Sequence, residues 1–250
     1  MLFRSNYRYQ LSLSGVVPVL ENFGLSIISE KTFELNIGGE CAVWLHEFSL
    51  YQNRPVSKIH GNFKANFEAA FLAIWQRDMD DDSFNALVIG AGLTVREAAL
   101  LRAYAAYLKQ IQFNYSDQFI AETLVNQVEI CRLLIQFFYL RLDPELHIKR
   151  AVKTVRLEKR LLRALGGVTK LAEDSVLRAY IYLVASTLRT NYFQRDALAN
   201  HKKYVSFKFD AARIAGLPKP KPQFEVFVFS REMEGVHLRS GKVARGGLRW

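Results

Sequence analysis

The chain has 250 residues, of which half are hydrophobic and 23% are charged, so it has ample length for one large buried core or for two to three small domains. No apolar run reaches the roughly 20 residues of a membrane-spanning helix and the first residues lack a secretory pattern, so we expect a cytoplasmic protein without membrane contact. Two distant cysteines and five scattered histidines lack metal-ligand spacing, which argues against a disulfide framework or a metal site. The net charge of +10 raises the separate question of a nucleic-acid partner.

Residues 1–60 alternate between strand-like and helix-like patterns. Residues 9–13 predict a strand, residues 16–23 a short helix that stops at Gly24, and residues 26–35 and 42–50 two strands joined by a hairpin turn. This β-α-β-β order is half of a ferredoxin-like sandwich. It resembles an ACT-type regulatory fold, in which such units pair edge to edge and bind amino acids, although a unit that only packs fits equally well.

Residues 61–200 predict a mainly helical domain. An apolar stripe starts the first helix, and the acidic run at 78–82 that follows lacks the features of a calcium loop, so we interpret it as a solvated connection. Gly90 and Gly92 suggest a dinucleotide fingerprint, but a third glycine is missing. The segment Thr94-Val-Arg-Glu97 instead predicts a capping box that opens a helix to about Gln110, with both glycines in the loop before it.

Three further helices are predicted at 116–142, 145–165 and 173–193. Seven basic residues and one acidic residue lie between Lys149 and Arg163, which gives the helix predicted at 145–165 a basic face. Such a face can contact phosphates, remain solvated or meet an acidic protein surface. No aromatic residues are interleaved with the cations, so nucleic acid is the least favoured of these partners.

Residues 201–250 return to a strand pattern. Residues 204–210 and 224–230 predict strands, and the chain then reaches the sequence Arg245-Gly-Gly-Leu-Arg-Trp250. Gly246 and Gly247 permit backbone conformations and close approaches that a side chain would block, and the flanking guanidinium groups can bind a carboxylate or a phosphate. An anion-binding turn and a plain charged surface turn both remain open on these residues alone.

A family resemblance bears on that choice. The segments Pro218-Lys-Pro-Lys-Pro, Glu225-Val-Phe-Val-Phe-Ser and Glu234-Gly-Val-His-Leu-Arg-Ser-Gly-Lys-Val-Ala-Arg-Gly-Gly-Leu-Arg-Trp250 are similar to the start of the catalytic domain of large bacterial NAD-specific glutamate dehydrogenases. The ACT-like beginning and the helical middle agree with this family more loosely. The resemblance implies an internal fragment of a longer enzyme that converts L-glutamate, NAD⁺ and water to 2-oxoglutarate, ammonia and NADH.

The same resemblance implies the site residues. Smaller glutamate dehydrogenases carry a lysine that binds a substrate carboxylate where this chain has Arg245, so we assign Arg245 as a carboxylate clamp, with Gly246 and Gly247 allowing the substrate to approach the backbone. Arg249 and, less directly, Lys242 complete the predicted substrate-binding set. In this family the catalytic lysine and the NAD-binding domain lie further along, so we expect no catalytic residue, cofactor or metal in this chain and no dehydrogenase activity from it alone.

The expected architecture is therefore α+β: an ACT-like β-α-β-β unit (1–60), a helical domain (61–200) and the truncated, β-rich start of a catalytic domain (201–250). The expected partners are L-glutamate and 2-oxoglutarate in the parent enzyme, an amino-acid effector, and further copies in a homo-oligomer. The alternative is an amino-acid-sensing or oligomerisation module with no chemistry of its own.

Overall fold

The computed structural model describes residues 2–5, 11–36, 42–53, 62–146, 150–217, 219–240 and 248–249. Within these ranges the fold is α+β, as the sequence predicts. The α-helices are α1 (Leu13–Asn22), α2 (Phe63–Trp75), α3 (Ala86–Gly90), α4 (Val95–Gln110), α5 (Asp117–Asn126), α6 (Val128–Leu142), α7 (Arg150–Leu165) and α8 (Leu171–Ser186). The strands are β1 (Leu2–Ser5), β2 (Leu25–Asn36), β3 (Ala42–Gln52), β4 (Thr187–Thr190), β5 (Tyr204–Asp210), β6 (Phe224–Ser230), β7 (Glu234–Arg239) and β8 (Leu248–Arg249).

The first unit is a three-stranded antiparallel sheet in the order β1-β3-β2, covered by α1. This is the β-α-β-β arrangement that the sequence predicts, but its first strand is Leu2–Ser5. The strand predicted at 9–13 is wrong where it can be judged, because Leu13 begins α1 and residues 6–10 lie outside the described ranges. The apolar spacing of Leu11 and Leu13 leads into a helix whose buried face is formed by Val16, Val19 and Leu20.

The helical region is built around α4, and two of its predicted features are confirmed. The apolar stripe of α2 is buried, with Phe67 packed at 4.9 Å (ring centroids) from Phe23 of the first unit. The capping box at the start of α4 is present, since the Thr94 hydroxyl accepts from the Glu97 amide and the Glu97 carboxylate accepts from the Thr94 amide.

Three helix predictions are corrected by tertiary contacts. The helix predicted at 116–142 breaks at Gln127, where Glu173 accepts hydrogen bonds from the Asn126 and Gln127 side chains. The helix predicted to reach 193 ends at Ser186, because Thr187–Thr190 pairs with β5 as strand β4. Gly90 lies in α3 and not in a loop. A β-carbon added to Gly90 would come within 3.0 Å of the Val125 side chain.

The remaining strands form a five-stranded antiparallel sheet in the order β4-β5-β6-β7-β8. Helix α4 packs across one face, which we call the inner face. Tyr104 stacks on Phe207 with ring centroids 4.4 Å apart, and Tyr107 lies 4.3 Å from Phe209. The helices and this sheet therefore share one aromatic core. None of the helices in the described ranges is long and apolar enough to cross a membrane.

Candidate substrate-binding strand

The predicted substrate-binding turn leads directly into strand β8. In this strand Leu248 lies opposite His237 and Arg249 lies opposite Val236, so β8 extends the sheet beyond β7. Lys242, Arg245, Gly246 and Gly247 lie outside the described residues, and of Arg249 only the backbone is described. The structure thus fixes the strand that follows the turn, while the roles of these five residues stay predictions.

The outer face of the sheet, opposite the helices, carries basic side chains on β5 and β7. Lys208, Val226 and His237 lie side by side on β5, β6 and β7, and Phe224 lies opposite Arg239 in a neighbouring row on the same face. The Lys208 ammonium stands 4.0 Å from the Phe224 ring centroid. The Nε atom of Arg239 is buried and has no hydrogen-bond partner among the described residues. The Lys208 and Arg239 cations could bind an anion that approaches the outer face.

Sequence reasoning missed Lys208, His237 and Arg239. Each occupies a polar position in the two-residue alternation of its strand, so the alternation alone could have placed them on a common face. The pairing of β5 with β6 and of β6 with β7 was needed to bring them together, and no local pattern specifies that pairing.

The inner face holds a polar link to α4. The Tyr107 hydroxyl donates a 2.7 Å hydrogen bond to Glu225 Oε2, and both residues are buried. One turn further on, Gln110 donates a 2.9 Å hydrogen bond to Glu234 at the start of β7. Helix α4 is thereby bonded to two adjacent strands of the sheet.

The acidic run at 78–82 is not simply the solvated connection that we predicted. Both carboxylate oxygens of Asp82 accept from Arg102, at 2.6 and 2.8 Å, and the Arg102 side chain is only 7% exposed. Asp82 also accepts from the Phe84 amide and so caps a short 3₁₀ turn. This carboxylate ties the segment before α3 to the buried middle of α4, which is a structural role.

Helix α7 presents the basic face predicted for this region. Its five exposed cations form no ion pair with any residue of the described ranges: Lys153, Arg156, Lys159, Arg160 and Arg163.

Cys131 of α6 is buried, and burial raises the pKa of its thiol to about 12, so the thiol stays neutral and is a poor nucleophile. Neither feature forms part of the candidate strand site.

Family models of known proteins match three successive parts of the chain. Residues 2–61 match the glutamate dehydrogenase ACT3 domain, residues 79–144 match glutamate dehydrogenase helical motif 3, and residues 160–250 match the bacterial NAD-glutamate dehydrogenase catalytic domain. The chain belongs to the glutamate dehydrogenase family. The resemblance found in the last residues is confirmed, and so is the ACT-like nature of the first unit.

Individual glutamate dehydrogenases match over nearly the whole chain. The NAD-specific glutamate dehydrogenases of Halomonas elongata, Pseudomonas aeruginosa and Mycobacterium tuberculosis are 45%, 40% and 36% identical to it. Each match covers 96% of this chain but only 15% of the relative. The chain therefore corresponds to a small part of such a glutamate dehydrogenase, and the domain boundaries at residues 60 and 200 stay predictions.

Proposed function

We propose that this chain works as part of an NAD-specific glutamate dehydrogenase, which converts L-glutamate, NAD⁺ and water to 2-oxoglutarate, ammonia and NADH. The observation that carries the proposal is the succession of three glutamate dehydrogenase segments along one chain. Since the chain spans 15% of its relatives, the activity belongs to a longer protein, called the full-length enzyme below. Other parts of that enzyme supply the catalytic lysine and the NAD site.

Within the full-length enzyme, the turn before β8 binds a carboxylate of glutamate. Arg245 supplies the guanidinium, Gly246 and Gly247 let the substrate approach the backbone, and Arg249 and Lys242 add positive charge. Support comes from the outer face of the sheet, where His237 and Arg239 lie on β7, the strand paired with β8, and Lys208 lies two strands further away on β5. A dicarboxylate needs a cation for each carboxylate, and this surface offers several.

We further infer that the full-length enzyme is a cytoplasmic homo-oligomer that responds to an amino-acid effector. The three-stranded sheet supports assembly, because no other described strand pairs with the outer edges of β1 and β2. An unpaired edge is a template for a strand from another copy. Light scattering of the full-length enzyme, with and without each of the common amino acids, measures its mass and any change on binding. A monomeric mass under all conditions would exclude this assembly.

The proposed activity is tested by following NADH formation from L-glutamate and NAD⁺. We expect the full-length enzyme to form NADH and the 250-residue chain to form none, because the chain supplies only the carboxylate-binding turn. D-glutamate serves as the substrate control. An inactive full-length enzyme, or an isolated chain that produces NADH, would refute the proposal.

A further inference from the structure

We propose that Tyr107 and Gln110 of α4 are positioning residues for substrate binding: they hold the inner face of the sheet so that β8 and the turn before it stand where glutamate binds. The inference rests on the proposed function, since it assumes that this turn contacts substrate. It assigns a role in the reaction to the helical region, which contributes no predicted substrate contact of its own.

The contact between Tyr107 and Glu225 fixes the position of β6. Tyr107 is fully buried, with its ring 4.3 Å from Phe209 and 5.4 Å from Phe227 (centroid distances), and Glu225 is only 1% exposed. A buried carboxyl group is costly unless it is hydrogen-bonded. A slip of β6 by one residue would move Glu225 to the outer face and break the 2.7 Å bond to the tyrosine hydroxyl. The bond therefore favours the native register.

The register of β6 passes to β8 through β7. Phe227, Val236 and Arg249 are opposite one another on β6, β7 and β8, so a shift of the first strand moves the third. Gln110, three residues after Tyr107, holds the first residue of β7 through its 2.9 Å hydrogen bond to Glu234. Strand β8 is only two residues long and, within the described ranges, pairs with β7 alone. Its placement thus depends on how firmly α4 holds β6 and β7.

Tyr104 provides a matched control on the same helix. It is also fully buried, and it stacks on Phe207 at 4.4 Å. Its hydroxyl, however, is hydrogen-bonded to the Thr187 hydroxyl at 2.9 Å, on β4 at the opposite edge of the sheet from β8. Tyr104→Phe and Tyr107→Phe remove the same atom from equally buried rings, but only the second releases the strands that carry the turn.

The experiment compares the two variants in the full-length enzyme by steady-state kinetics and by hydrogen exchange of peptides that cover 224–239. For Tyr107→Phe we expect the KM for L-glutamate to rise on the order of tenfold while kcat changes little, because a small misplacement weakens substrate binding. Exchange in β7 should speed up. Tyr104→Phe should leave both the KM and the exchange of β7 at their original values. Gln110→Ala, at a half-buried position that leaves the core intact, should raise the KM in the same direction if Tyr107→Phe fails to fold.

Three results would overturn the inference: an unchanged KM in Tyr107→Phe, an equal rise in Tyr104→Phe, or a raised KM without faster exchange in β7. Arg245→Ala separates this failure from failure of the proposed site. If Arg245→Ala raises the KM but Tyr107→Phe does not, the site stands and the positioning role falls. If Arg245→Ala has no effect, the proposed substrate contact itself is wrong.

Discussion

At the scale of single residues, a buried charge in the helical region is satisfied by partners that are distant in sequence. Arg102 is the clearest case. Its guanidinium binds both carboxylate oxygens of Asp82, donates a 2.9 Å hydrogen bond to Asn85 and lies over the Phe84 ring. A buried guanidinium needs such a set of acceptors, because unpaired charge is costly away from water. One residue thereby fixes the segment before α3 against α4.

We expect Arg102→Met to lower the free energy of unfolding by about 2–3 kcal/mol, because the substitution removes the guanidinium and leaves the Asp82 carboxylate without its ion-pair partner. The value lies at the low end for a buried pair because the Asp82 side chain is 36% exposed. Urea denaturation of the 250-residue chain measures it. Arg178→Met, which removes an exposed cation paired with Asp174, is the control and should leave the midpoint nearly unchanged. Equal losses in the two variants would contradict the structural role of Arg102.

Glu173 should make the stability depend on acid pH. Burial alone would raise the pKa of this carboxyl group, but hydrogen bonds from Gln127, Lys170 and Asn126 outweigh burial and lower the pKa below its ordinary value of 4.5. A group with a lowered folded-state pKa stabilises the fold above its unfolded-state pKa and loses that contribution as the pH falls through the folded-state value.

The stability advantage of the native chain over Glu173→Gln should therefore be full at pH 6 and shrink steadily below about pH 4.5. Urea titrations at several pH values give the difference in the free energy of unfolding. Glu129→Gln, at a position 77% exposed, is the control and should show little such dependence. A difference for Glu173→Gln that stays constant from pH 6 to pH 3 would show that its carboxylate is not stabilised by these bonds.

At the scale of elements, the ends of helices decide how the first unit connects. Helix α1 ends at Asn22 with Phe23 as its C-cap, and Gly24 follows in the left-handed region with φ at +79°, its amide bonded to the Glu21 carbonyl. A glycine in this conformation reverses the chain so that β2 can begin at Leu25. The sequence alone identified this stop, because glycine is the residue that such a turn requires.

We expect Gly24→Ala to lower the free energy of unfolding by about 1–2 kcal/mol, since alanine is strained at positive φ. Gly167→Ala is a fair comparison, because Gly167 has no positive φ and its added β-carbon would sit 3.5 Å from the Ala164 carbonyl, an ordinary contact. Thermal and urea unfolding of both variants give the difference. If Gly167→Ala is as destabilising as Gly24→Ala, backbone conformation is not the cause.

The elements also show which predictions the sequence could support. Amphipathic stripes, capping residues and strand-like alternation are local signals, and they correctly predicted α2, the start of α4 and the strands at 204–210 and 224–230. The break at Gln127 and the switch from helix to strand at Thr187 were missed because distant contacts impose them. Glu173 holds the first, and pairing with β5 makes the second. Tertiary context overrides helical periodicity at such positions.

At the scale of the whole molecule, α4 connects the parts of the chain. Its capping box fixes the start of the helix. Its buried Arg102 binds the segment before α3, and its two core tyrosines pack on the five-stranded sheet. A motif with family resemblance was enough to predict a substrate-binding turn from the sequence. The basic outer face and the link from Tyr107 to Glu225 could not be identified, because both depend on strand pairing and on a contact across 118 positions of sequence.

Arg245→Ala in the full-length enzyme tests most directly whether the predicted turn at 245–247 binds a carboxylate of glutamate. Loss of a charge-assisted hydrogen bond costs about 1.5–3 kcal/mol, so we predict a rise in the KM for L-glutamate of roughly 10- to 100-fold. Arg245→Lys should recover part of the affinity, and Arg163→Ala, on the exposed face of α7, should leave the KM unchanged. A KM for Arg245→Ala equal to that of the unmodified enzyme would show that Arg245 does not bind the substrate carboxylate.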